Sequence, residues 1–124
     1  MGASLRDKLT PGTCLPVDSD DAVVVGRVFL PSVGGPTLVR VHGDDLIDLS
    51  TIAPTSSELL DRPDIVERVR ATRSPSIGSL ARALANSARD QRELADPWLL
   101  APCDLQAIKA AGVTFVESML ERVI

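Results

Sequence analysis

Residues 22–49 read AVVVGRVFLPSVGGPTLVRVHGDDLIDL, and this stretch decides the fold. Ala22 to Leu30 is rich in β-branched residues and bounded by turn signals, which predicts a strand with Gly26 as a candidate bulge. Pro31-Ser32-Val33-Gly34-Gly35-Pro36 then makes a loop. Thr37 to Val41 resumes a strand in which Leu38 and Arg40 face opposite to Val39 and Val41. His42-Gly43-Asp44-Asp45 supplies a tight turn, and Leu46 to Leu49 alternates once more. Three short antiparallel strands in sequence make a meander.

Downstream of the meander the pattern changes from strand to helix. Thr55-Ser56-Ser57-Glu58 is a helix start, with Ser56 or Thr55 as cap, Glu58 at capping-box distance from Thr55, and Leu59 and Leu60 pointing inward. After Pro63, Asp64 to Thr72 places Ile65, Val66 and Val69 on one helical face. Ser74-Pro75 reads as an N-cap followed by proline at the first helical position. The helix it opens carries the strongest periodicity in the chain, with Ile77, Leu80, Ala81, Leu84, Ala85 and Ala88 on one stripe that packs on the sheet. Arg82, Arg89 and Asp90 form the solvated side. Upstream, Met1 to Asp21 reads as a polar, extended lead. Strands followed by helices describe an α+β fold, a small antiparallel β-meander with helices packed on it, and not the alternation of a doubly wound sheet.

The 124 residues are the usual size of one domain with one core. Apolar residues make up 44% and charged residues 24%, the balance of a globular chain. Phe29, Trp98 and Phe115 are the only aromatics, so the core is aliphatic. A net charge of −4 argues against nucleic acid or an anionic membrane surface as partner. Cys14 and Cys103 belong to no CxxC or Cys/His cluster, which gives no support for a zinc site. No apolar leader or run of 18 apolar residues occurs, so a cytoplasmic location is expected.

The second informative stretch is Leu99 to Ile124, LLAPCDLQAIKAAGVTFVESMLERVI. A short apolar run and Gly112 lead into a helix with Glu117, Ser118 and Glu121 on one flank, and no helix-ending signal precedes Ile124. The expectation is an N-terminal piece of a longer protein, with residues 1–98 as its first domain and 99–124 as a junction and the start of a catalytic domain. Leu100-Ala101-Pro102, Ile108, Gly112 and Thr114-Phe115-x-x-Ser118-x-x-Glu121 resemble the domain junction of the fumarylacetoacetate hydrolase family. There a leucine and proline lead into a short strand, a glycine and an Asn-Tyr-x-x-His-x-x-Glu motif.

That resemblance implies an enzyme acting on a small 2-oxo acid, chelated by a magnesium or manganese ion beside a His-Glu dyad. The family holds its metal through a Glu-x-Glu pair and a later Asp, which this sequence lacks, so no metal site and no activity are expected of these 124 residues alone. Ser118 stands where the family has histidine. A serine hydroxyl needs an adjacent base, so the resemblance shifts towards members that dehydrate sugar-derived 2-oxo acids, with Glu121 as acid or base and Glu117 as the like charge that raises its pKa.

Other features have plainer readings. His42 is a turn histidine without a partner cluster, Cys103 a small buried residue, and Gly34-Gly35 a turn too short to cradle phosphate. The alternative to an enzyme piece is a stand-alone, non-catalytic interaction module. Val116, Met119, Leu120 and Val123 form an apolar stripe that would dock on a partner, and a homodimer formed through that stripe is expected.

Overall fold

The computed structural model describes residues 4–109. The expected C-terminal helix from Val113 to Ile124 lies outside them. The described chain begins with a 3-10 turn at Arg6–Lys8 and a short helix α1 at Pro11–Cys14. The lead expected to be extended is thus locally helical, and Pro11 at the start of α1 occupies a position where its missing N–H costs nothing.

Strands β1 (Val24–Leu30), β2 (Gly35–His42) and β3 (Asp45–Asp48) follow as the antiparallel meander read from the sequence. Pairing of β1 with β2 runs unbroken from Val24↔Val41 to Leu30↔Gly35, so Gly26 is not a bulge. The irregularity falls between β3 and the later strand β4 (Ser76–Ser79), at Asp45/Ile47. Gly34 and Gly43 close the two hairpins at φ of 74° and 61°, a region where a Cβ is strained. A fifth strand, β5 (Trp98–Leu100), completes a sheet of order β4-β3-β2-β1-β5.

Alternation along these strands builds one core on each face. On one face Val28, Val39 and Leu46 meet Leu80, Ala83 and Leu84 of helix α4 (Leu80–Ala88). On the other, Leu38 and Leu49 pack with Ala53, Leu59 of α2 (Ser56–Leu60) and Val69 of α3 (Ile65–Ala71). Of the two candidate caps it is Thr55 that serves α2, its Oγ1 accepting from the Glu58 N–H at 3.1 Å. Leu60, expected to point inward, is 55% exposed, and so is Val66 of α3 at 48%. Helices this short turn few positions to the sheet, and those are Ser56 and Leu59 in α2 and Val69 in α3.

Helix α4 starts later than Ser74-Pro75 suggests. Residues 76–79 are drawn out as β4 against β3, and Ser79 is the N-cap, its Oγ accepting from the Arg82 N–H at 3.3 Å. The Asp44 carboxylate in the β2–β3 turn completes the cap. It accepts from the Ala81 N–H at 2.9 Å and the Ser79 hydroxyl at 2.5 Å, while its main-chain carbonyl accepts from the Leu80 N–H at 2.8 Å. The hydrogen bonds from Ser79 and Ala81 hold the Asp44 carboxyl below its ordinary pKa, against a smaller upward push from burial. With this start the buried face is Leu80, Ala83, Leu84 and Asn86, and Ala81 and Ala85 face solvent.

Asn86 carries the turn back to the sheet. Its side-chain amide donates to the carbonyls of Glu93, Asp96 and Pro97 at 3.0, 3.2 and 3.1 Å, and its Oδ1 accepts from the Glu93 N–H at 2.8 Å. The chain enters β5 from there, and the Trp98 ring stacks on Phe29 of β1 with centroids 4.5 Å apart. Because β5 pairs with β1 at Arg27, Val28 and Phe29, the sheet continues past the division between 98 and 99 drawn from the sequence.

Leu84 is 5% exposed in the core under α4. Leu84→Ala should lower unfolding free energy by ~2–5 kcal/mol in chemical denaturation. Ala85→Ser, on the exposed side of the same turn, should change it by less than about 0.5 kcal/mol. Equal effects at both positions would mean that α4 is rotated from the orientation described.

Candidate functional site

Arg27 stands in the middle of an otherwise apolar strand, and a guanidinium there has to find partners or leave the sheet. Register places it between Leu38 of β2 and Leu100 of β5, and its side chain is only 15% exposed. Its Nη1 donates to the carbonyls of Ala101 and Cys103 at 2.9 and 3.0 Å. Its Nε faces the Asp104 carboxylate at 3.6 Å.

Asp104, 11% exposed, is the centre of this cluster. Its two oxygens accept from the first N–H groups of α2, Ser56 at 2.7 Å and Ser57 at 3.0 Å, and from its neighbour Leu105 at 2.6 Å. Gln106 closes the ring, its Oε1 accepting from the Asp104 N–H at 2.7 Å and its amide donating to the Ser56 hydroxyl at 3.1 Å. Burial pushes the Asp104 carboxyl up, but the hydrogen bonds from Leu105, Ser56 and Ser57, together with the Arg27 charge, outweigh it and leave the pKa lowered. The carboxylate thus acts as a remote N-cap for α2 and as the anchor of the chain that has just left β5.

The chemistry of this cluster is positional. The Asp104 carboxylate accepts from three main-chain N–H groups and faces Arg27, and the cluster fixes residues 101–106 against the sheet. Ser118 and Glu121, the candidate catalytic residues, lie outside the described residues. Among the described residues there is no group of three or more His, Cys, Asp and Glu that could hold a metal ion. His42 is exposed at the end of β2, and Cys14 and Cys103 are free thiols. Arg27, Asp104 and Gln106 escape a reading for motifs, and the one sequence signal for them is a lone cation within the apolar run VVVGRVFL.

Comparison of the chain with family models, with curated proteins and with solved structures finds no match.

Since the folded Asp104 carboxyl has a lower pKa than an unfolded one, its ionised form adds stability above the ordinary aspartate range, and that contribution is lost as pH falls through the folded value. Asp104→Asn removes one accepting oxygen and the charge. Its melting temperature should fall below that of the unsubstituted chain at about pH 7, and the gap should narrow below the ordinary aspartate value of ~3.9. A gap independent of pH would show that the charge plays no part.

Proposed function

We propose that the chain is the N-terminal domain and junction of a metal-dependent enzyme of the fumarylacetoacetate hydrolase type, acting on a 2-oxo acid by hydrolysis or dehydration. The reading is carried by Leu100-Ala101-Pro102, Gly112 and Thr114-Phe115-x-x-Ser118-x-x-Glu121. The clasp at Asp104 supports it, because a catalytic segment that begins soon after Lys109 needs a rigid point of departure from the domain before it. Glu121 is assigned as the acid or base and Ser118 as its polar neighbour. The metal ligands of such an enzyme belong to residues outside this sequence. The role of the described domain is to wall the pocket and hold the junction.

The test is the reading frame that contains these residues and whatever follows them. A Glu-x-Glu pair and a later Asp downstream, with turnover of a 2-oxo acid that requires magnesium or manganese, are expected. Glu121→Gln in that protein should lower kcat about 10²- to 10⁴-fold, the size of a lost proton-transfer group. A frame without those ligands, or turnover indifferent to Glu121, would leave the domain as a non-catalytic interaction module instead.

A further inference from the structure

A second cluster of charge lies away from the junction, where β2 passes under the C-terminal end of α3. A cavity of about 410 Å³ opens there, lined by Arg40, His42, Arg70, Thr72, Arg73 and Ser74, with no carboxylate in its wall. In a chain of net charge −4, three guanidiniums gathered without an acid need a physical reason.

Part of the reason is local. Arg40 and Arg73 both donate through Nη1 to the carbonyl of Arg70, at 3.2 and 2.8 Å, which satisfies an acceptor left open at the end of α3. Arg73 also donates to the Thr72 carbonyl at 3.2 Å, and Arg70 donates to the Asp21 carbonyl at 3.1 Å. Each guanidinium has five N–H donors, so most remain unused. Arg40 Nε is buried with no partner among the described residues.

Convergence on one carbonyl also brings the Arg40 and Arg73 charges well inside a Debye length, ~8 Å at physiological salt. Among the described residues no carboxylate forms an ion pair with Arg40, Arg70 or Arg73, whereas Arg6, Arg27, Arg62, Arg68, Arg82 and Arg89 all have one. An adjoining cavity shares Arg40 and His42 and is lined by Asp20, Asp44 and Asp45. The Asp44 side chain is already engaged by Ser79 and Ala81, and among the described residues neither Asp20 nor Asp45 forms an ion pair.

We infer that this cavity binds a phosphate group, as free phosphate or on a small phosphorylated molecule. Guanidinium forks match the oxygens of phosphate, and a dianion relieves the mutual repulsion of three cations better than a single carboxylate does. The Ser74 hydroxyl and the His42 ring line the same cavity and add polar groups to it. The inference is independent of the enzyme reading above, since it concerns only described residues on a different part of the sheet.

Titration of the full 124-residue chain with inorganic phosphate, followed by calorimetry and by amide chemical shifts, tests it. Saturable one-site binding is expected, with shifts at residues 70–74. Arg73→Gln should weaken it about tenfold or more, as loss of a charge-assisted hydrogen bond does. Arg73→Lys should keep part of the affinity, and Arg70→Gln gives a second variant should one of them fold poorly. Arg89→Gln, at the far end of α4, should bind like the parent. Glycerol 3-phosphate binding more tightly than phosphate would mark an organic ligand, and equal or weaker binding would mark the free anion. No saturable binding, or equal weakening by Arg89→Gln and Arg73→Gln, would overturn the assignment. So would affinity for single-stranded oligonucleotides that exceeds that for phosphate and grows with length, because that describes a polyanion surface and not a pocket.

Discussion

Strand β2 is buried on both faces, and that constraint governs the rest of the molecule. Leu38 belongs to one core and Val39 to the other, at 3% and 0% exposure. Because side chains alternate with a period of two, a shift of one residue in β2 would exchange the two cores and place Arg40 where Val39 and Val41 now pack. Each neighbour is locked by the same requirement. Val28 on β1 and Leu46 on β3 share the Val39 side, and α4 must lie over them, while α2 and α3 must lie over Leu38. A single domain with helices on both faces of a five-stranded sheet follows from one doubly buried strand.

Hydrogen bonding fixes what hydrophobic burial leaves loose. The helices are short, five, seven and nine residues for α2, α3 and α4, so none would persist in water by propensity alone. Two of them begin at a carboxylate supplied from elsewhere in the chain, Asp104 for α2 and Asp44 for α4. In both cases an acid from a turn or a terminal segment meets the positive end of a helix, which couples the position of the helix to the path of a distant loop.

The meander was legible because its alternation is strong and its turns contain glycine. The start of α4 was not. Ser74-Pro75 and Ser79 are both chemically sound caps, and what selects Ser79 is Asp44, thirty-five residues away. The buried side of α4 differs from the sequence expectation for a related reason. Leu80 and Leu84 anchor the stripe under either start, but alanines at 81, 83 and 85 have too little side chain to say which of them faces inward. Strands β4 and β5, of four and three residues, carry too little pattern to be read alone and exist because β3 and β1 have unpaired edges to offer. The resemblance at the end of the chain was visible only as a motif. Its Ser118 and Glu121 lie outside the described residues, and the clasp at Asp104 depends on a side-chain geometry that no local spacing announces.

The stack of Trp98 on Phe29 gives the molecule an optical property of its own. Trp98 is the single tryptophan and the chain has no tyrosine, so its near-ultraviolet emission comes from one ring. That ring lies parallel to Phe29 within 11° and has the Arg92 guanidinium 5.6 Å from its centroid. Intrinsic fluorescence therefore reports on one event, the docking of β5 onto the edge of β1, and is silent about the opposite edge of the sheet. Compared with a probe of overall helicity, the same light would tell whether that edge detaches before the rest of the domain melts.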